Sequence, residues 1–118
     1  MFGLPADINL SFFCGRKLQS IGLASISTIF HFDNQLTVTA ESPIGVMLPE
    51  ERLEVYEDVK DIAPKSVLFL GKTIKQVEGT IDGTLTLTFE DGSCLEFYDD
   101  NKQFEAYIIN YGDKRIVV

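Results

Sequence analysis

Leu85-Thr86-Leu87-Thr88-Phe89-Glu90-Asp91-Gly92-Ser93-Cys94-Leu95-Glu96-Phe97 alternates apolar and polar residues on both sides of an Asp-Gly pair. Successive side chains of an extended chain point to opposite faces. The run therefore gathers Leu85, Leu87, Phe89, Leu95 and Phe97 on one face and the threonines on the other. Asp-Gly supplies the positive-φ positions of a tight turn between right-twisted strands. This predicts a β-hairpin with one apolar face, and a lone hairpin cannot cover that face, so it must pack against something else.

The chain supplies that something by repeating itself. Gly15, Leu18 and Ile21 recur 56 residues later as Gly71, Ile74 and Val77; Phe32 corresponds to Phe89, and Leu36 and Val38 are aligned with Leu95 and Phe97 at an offset of 59. The pseudo-repeat halves span about 8–48 and 64–109 of one domain, 1–118. Ile29 to Phe32 and Leu36 to Ala40 around Asp33-Asn34-Gln35 read as the first-half hairpin. Lys17 to Ile21, Ile44 to Leu48, Lys72 to Gly79, Phe104 to Ile109 and Lys114 to Val118 are further strands. Two units fall short of the three or more that a solenoid needs, so they share one core. The fold class is mainly β: an antiparallel β-sandwich or partly open barrel built from two repeated β units, with one or two short helices. Pro64 to Leu70, with Pro near N1 and Gly71 at C′, predicts a short helical turn, and Ile8 to Cys14 is its counterpart. Pro49 to Ile62 carries both periodicities, Leu53/Tyr56/Val59 at helical spacing and Leu53/Val55 alternating, and is read as helix.

Length and composition fit one self-sufficient domain: 118 residues, 45% hydrophobic, 24% charged, with an expected folded surface of roughly 6,400 Å². Ten Lys and Arg face 18 Asp and Glu, a formal charge of −8. Such a surface repels phosphate, which disfavours nucleic acid and favours a basic partner. The acids are concentrated. Residues 50–61 hold six acids against Arg52 and Lys60, and residues 90–105 hold six against Lys102, so the rest of the chain is near neutral. A field so placed can steer a cationic protein. The partner-binding candidates are Glu54, Glu57, Asp58, Asp99, Asp100 and Glu105, with Phe97, Tyr98, Phe104, Tyr107 and Tyr111 as candidate aromatic anchors.

Chemistry finds little footing. His31 is the single imidazole and, flanked by Phe30 and Phe32, points away from the core, so no general base stands beside a nucleophile. Cys14 and Cys94 are read as buried free thiols, and one His with two distant Cys makes no zinc pattern. Asp99-Asp100-Asn101 lacks the spacing of a calcium loop and reads as a solvated turn. There is no phosphate-cradling glycine loop or dinucleotide fingerprint. No catalytic residue, metal or cofactor is expected, and the chain is read as not an enzyme. The start, with Asp7 ahead of any apolar run, does not resemble a signal peptide. No uncharged apolar run approaches a membrane span, which favours a cytoplasmic protein with no membrane partner.

Leu70-Gly71-Lys72, the Leu85 to Leu95 run and Phe104-Glu105-Ala106-Tyr107 together resemble a family of small bacterial β-rich domains. Its pattern is Leu-Gly-(Lys/Arg), L-x-L-x-F-x-D-G-x-x-L and aromatic-Glu-(Ala/Ser)-(Trp/Tyr), matched here over about residues 68–110. A stand-alone acidic domain of this size is also similar to immunity proteins of contact-dependent growth inhibition and other polymorphic toxin systems. The resemblance implies an immunity protein, monomer or weak dimer, that occludes a cognate basic toxin domain, a nuclease being the candidate class. The alternative is a small-ligand-binding domain, with a concave site between the two repeats, or a general interaction domain. The chain departs from the family pattern in having Tyr107 and no Trp.

Overall fold

The hairpin around Asp91-Gly92 forms, with positive φ at Gly92 alone and not at Asp91, and its apolar face lies against the equivalent hairpin of the first half. The computed structural model describes residues 9–41, 43–99 and 106–118. Its strands are β1 (Leu18–Leu23), β2 (Thr28–Phe32), β3 (Leu36–Ala40), β4 (Ile44–Met47), β5 (Glu54–Tyr56), β6 (Ile74–Gly79), β7 (Leu85–Phe89), β8 (Cys94–Phe97), β9 (Tyr107–Tyr111) and β10 (Lys114–Val117). One helix, α1 (Val59–Ser66), and 3₁₀ turns at Ser11–Phe13 and Val67–Phe69 accompany them. Two five-stranded antiparallel sheets, β1-β2-β3-β9-β10 and β5-β4-β8-β7-β6, enclose the core. Phe30 meets Phe97 edge-on at 5.5 Å between ring centroids, and Phe97 in turn meets Tyr107 at 5.8 Å. The surface is 6566 Å², close to the expectation from mass.

The sequence repeat is a pseudo-two-fold axis. Leu18 pairs with Phe32 and Ile74 with Phe89, and each pairing is followed by a register shift at the same point. Gly15 donates to the Ile74 carbonyl and Gly71 to the Leu18 carbonyl, both at 2.8 Å; Leu18 donates to Lys72 and Ile74 to Arg16. Lys17 and Thr73 face each other in an isolated antiparallel bridge at the centre of this reciprocal set. Both glycines have φ +85°, a left-handed conformation that a side chain disfavours. Phe13 and Phe69, at equivalent places in the two 3₁₀ turns, are fully buried, as are Phe32 and Phe89 within a few per cent. Beyond its third strand each unit crosses over. β4 pairs with β8 of the other unit and β9 with β3, so neither sheet is complete without both halves.

Four expectations are corrected. First, Phe30 pairs with Val38 as Leu87 pairs with Leu95, so the equivalent of Val38 is Leu95, two residues out of step with the alignment to Phe97. A slip of two leaves every side chain on its own face, so alternation could not detect it. Second, Pro49 to Ile62 is mostly not helical: β5 occupies its middle and α1 begins only at Val59. β-branched Val55 lies opposite Gly45 in the ladder with β4, and tertiary pairing overrides a three-residue helical spacing. The helix starts where Asp58 caps it, its carboxylate accepting from the Lys60 amide at 2.9 Å. Third, Pro64 lies inside α1 rather than near its start. A missing amide in the helix interior costs a backbone hydrogen bond, and α1 gives way two residues later to the 3₁₀ turn. Fourth, Cys14 is exposed and Cys94 half-buried. Cys94 begins β8 on the outer face, where its Sγ meets Thr88 Oγ1 at 3.5 Å.

Candidate partner-binding surface

The acidic stretch 50–61 wraps an edge of the second sheet, and each acid is placed by the element carrying it. Glu54 is the first residue of β5 and accepts a hydrogen bond from the Tyr56 hydroxyl at 2.6 Å. That bond raises the Tyr56 pKa above the ordinary tyrosine value; desolvation and the charges of Glu54, Asp61 and Glu51 raise it further. Only Glu54 of these carboxylates hydrogen-bonds the phenol.

Glu57 and Asp58 lie between β5 and α1, both exposed. With Glu41, at the end of β3, they line an open cleft of ≈ 450 Å³ whose apolar residues are Ile26 and Val59. Ile26, at the tip of the β1–β2 connection, is 70% exposed. Three carboxylic residues from two distant parts of the chain therefore line one cleft with an accessible aliphatic side chain. Residue spacing could not have found Glu41, because it lies outside both acidic stretches; only the route of β3 brings it here.

The second acidic stretch does not assemble in the same way. Asp99 is 5% exposed, so it is buried where a solvated turn was expected. It lies close enough to Tyr107 to act on its charge: burial pushes that phenol far above its usual range, and the Asp99 and Asp82 charges add to the rise. The Tyr107 hydroxyl donates to the Gly83 carbonyl at 2.6 Å. Asp100 and Glu105 lie outside the described residues. Glu96 is half-buried and accepts from the Tyr98 hydroxyl at 2.7 Å. Asp91 pairs with Lys72 at 2.7 Å and also accepts from the Ser93 amide and hydroxyl. The Lys72 and Ser93 hydrogen bonds hold its carboxyl down at about 2. Of the candidate anchors, Phe97 and Tyr107 are core residues, Tyr98 and Tyr111 are half-buried, and Phe104 lies outside the described residues.

The remaining chemical candidates stay apart. His31 is half-buried on β2, opposite Ser20 and Thr37 in the ladders. Among the described residues no three His, Cys, Asp or Glu side chains form a group able to hold a metal, and no helix is long and apolar enough to cross a membrane. The reciprocal backbone hydrogen bonds cross the seam between the two units, and Phe13 and Phe69 are buried. The chain matches no protein-family model, no curated protein and no solved structure.

Proposed function

We propose that this chain is an immunity-type protein of the cytoplasm that binds a cognate basic toxin domain, with a nuclease as the candidate class, and occludes it. The observation that carries this reading is the cleft that Glu41, Glu57 and Asp58 line with Ile26 and Val59. A cationic side chain with an aliphatic stem, such as Arg or Lys, suits a site that offers carboxylates at its rim and apolar surface within. Nuclease surfaces are cationic because their substrate is anionic, and an acidic surface competes for them. Glu54 lines a separate depression with Glu51, Arg52, Tyr56 and Lys65 and is not part of this cleft.

The test is co-expression with whatever reading frame adjoins this gene, scored by toxicity of that product alone, by growth rescue and by co-purification. Glu41→Gln, Glu57→Gln and Asp58→Asn remove the charges together, and Asn preserves the helix cap. Loss of rescue with an unchanged melting temperature supports the reading. Full rescue and unchanged affinity sink it. A second reading rests on the same carboxylates, Glu41, Glu57 and Asp58: a small cationic ligand rather than a protein. Binding of a low-molecular-weight polyamine with no rescue of growth would favour it.

A further inference from the structure

The two sheets are joined beside β1 and β6 by the Lys17–Thr73 bridge. At the other ends of the two strand orders stand β5, against which α1 packs, and β10, each paired with one strand only among the described residues. The internal two-fold axis exchanges these two edges: Val46 pairs with Glu54 in one and Ile109 with Ile116 in the other. Both edges keep apolar side chains in reach of solvent. Leu53 and Val55 are 42% and 53% exposed, and Ile116 and Val117 are half-buried. Unpaired strand edges are templates for a further strand.

Their charges are opposite. β5 and its flanks carry Glu51, Glu54 and Glu57 against Arg52, whereas β10 begins with exposed Lys114 and Arg115 after Asp113. Two copies facing one another across a two-fold axis have two ways to pair these edges. Like with like sets Glu54 near its own copy and Lys114 near its own. Unlike with unlike sets β5 of each copy beside β10 of the other, twice, in one closed isologous interface. Like charges across an antiparallel pair are destabilising and unlike charges favourable, so charge selects the second. The net charge of −8 opposes any self-association, but its reach is limited to roughly 8 Å at physiological ionic strength, and the edge contacts act within that distance.

We propose that the occupant of these edges is a second copy of this chain, held in an antiparallel dimer by reciprocal β5–β10 pairing. This goes beyond the immunity reading and does not depend on it. The experiment is sedimentation equilibrium of the untagged full chain at up to about 1 mM, the weak end of specific association, in about 150 mM salt. Glu54→Lys with Glu57→Lys makes both edges basic, and Lys114→Glu with Arg115→Glu makes both acidic. The wild type is expected to dimerise, each double variant to dissociate at least about tenfold more readily, and a mixture of the two variants to form a heterodimer. Restoration by mixing also demonstrates that both variants are folded. If the first pair melts early, Glu57→Lys alone replaces it, and Arg115→Glu alone replaces the second. A wild type that is monomeric throughout, variants that dimerise as the wild type does, or a mixture that stays monomeric each overturns the proposal. The Lys114 and Arg115 changes leave the Glu41–Glu57–Asp58 cleft intact, so loss of the dimer and loss of toxin binding are read separately.

Discussion

Replacing Thr28 by Val should stabilise the protein. Thr28 opens β2 at 1% exposure, and its Oγ1 is buried with no hydrogen-bond partner among the described residues. Its pairing partner in the ladder is Ala40, itself buried. The internal two-fold axis supplies a reference state, because the corresponding position of the second unit is Leu85, fully buried, opposite Phe97. The same environment is thus filled by hydrocarbon in one half and by a hydroxyl in the other. An unmatched buried hydroxyl costs about 1–3 kcal/mol on mutational scales, and Val keeps the branched shape that suits a strand. A gain of about 1 kcal/mol corresponds to about 4 °C in melting temperature for a chain of this size. Calorimetry or a urea titration monitored by tyrosine fluorescence measures it. Thr39→Val, on the outer half-buried face of β3, is the control and should change stability by no more than about 0.5 kcal/mol. If Thr28→Val lowers the melting temperature or leaves it unchanged, the hydroxyl is satisfied and the comparison with Leu85 misleads.

Gly15→Ala and Gly71→Ala should destabilise by similar amounts, about 1 kcal/mol each, because both have φ +85° and an added Cβ would meet nothing within 4 Å, leaving backbone strain as the cost; unequal urea midpoints would show that the two turns are not equivalent. Asp91 has its folded pKa lowered to about 2 from 3.8, so its contribution is present above pH 4 and is lost as pH falls toward 2. With 42% of the side chain exposed, the effect should not exceed about 1 kcal/mol. Asp91→Asn should flatten that segment of the stability–pH curve, and an unaltered slope would refute the assignment. Cys14 should react with a thiol reagent in the native protein well before Cys94, because it is exposed and Cys94 is half-buried; mass spectrometry of the first adduct decides.

Sequence alone determined the parts of this protein that depend on local periodicity and on turn stereochemistry. The Leu85 to Phe97 alternation, Asp91-Gly92 and the paired Gly15 and Gly71 sufficed for the hairpins, for the antiparallel β class and for the two-unit organisation. They do so because face alternation and positive φ are properties of a few adjacent residues. The edge strand β5 was not legible: Leu53, Tyr56 and Val59 mimic a helix, and only pairing with β4 shows otherwise. Nor could a charge count distinguish Asp99, closed off beside Tyr107, from Glu57 and Asp58, which face solvent. Tertiary structure alone decided which hairpin crosses to which sheet, since β4 could have paired with its own unit as well as with β8. That crossing carries β5 to the end of its sheet and brings Glu41 into one cleft with Glu57 and Asp58. Each depends on contacts between residues far apart in the chain, which no short window of sequence contains.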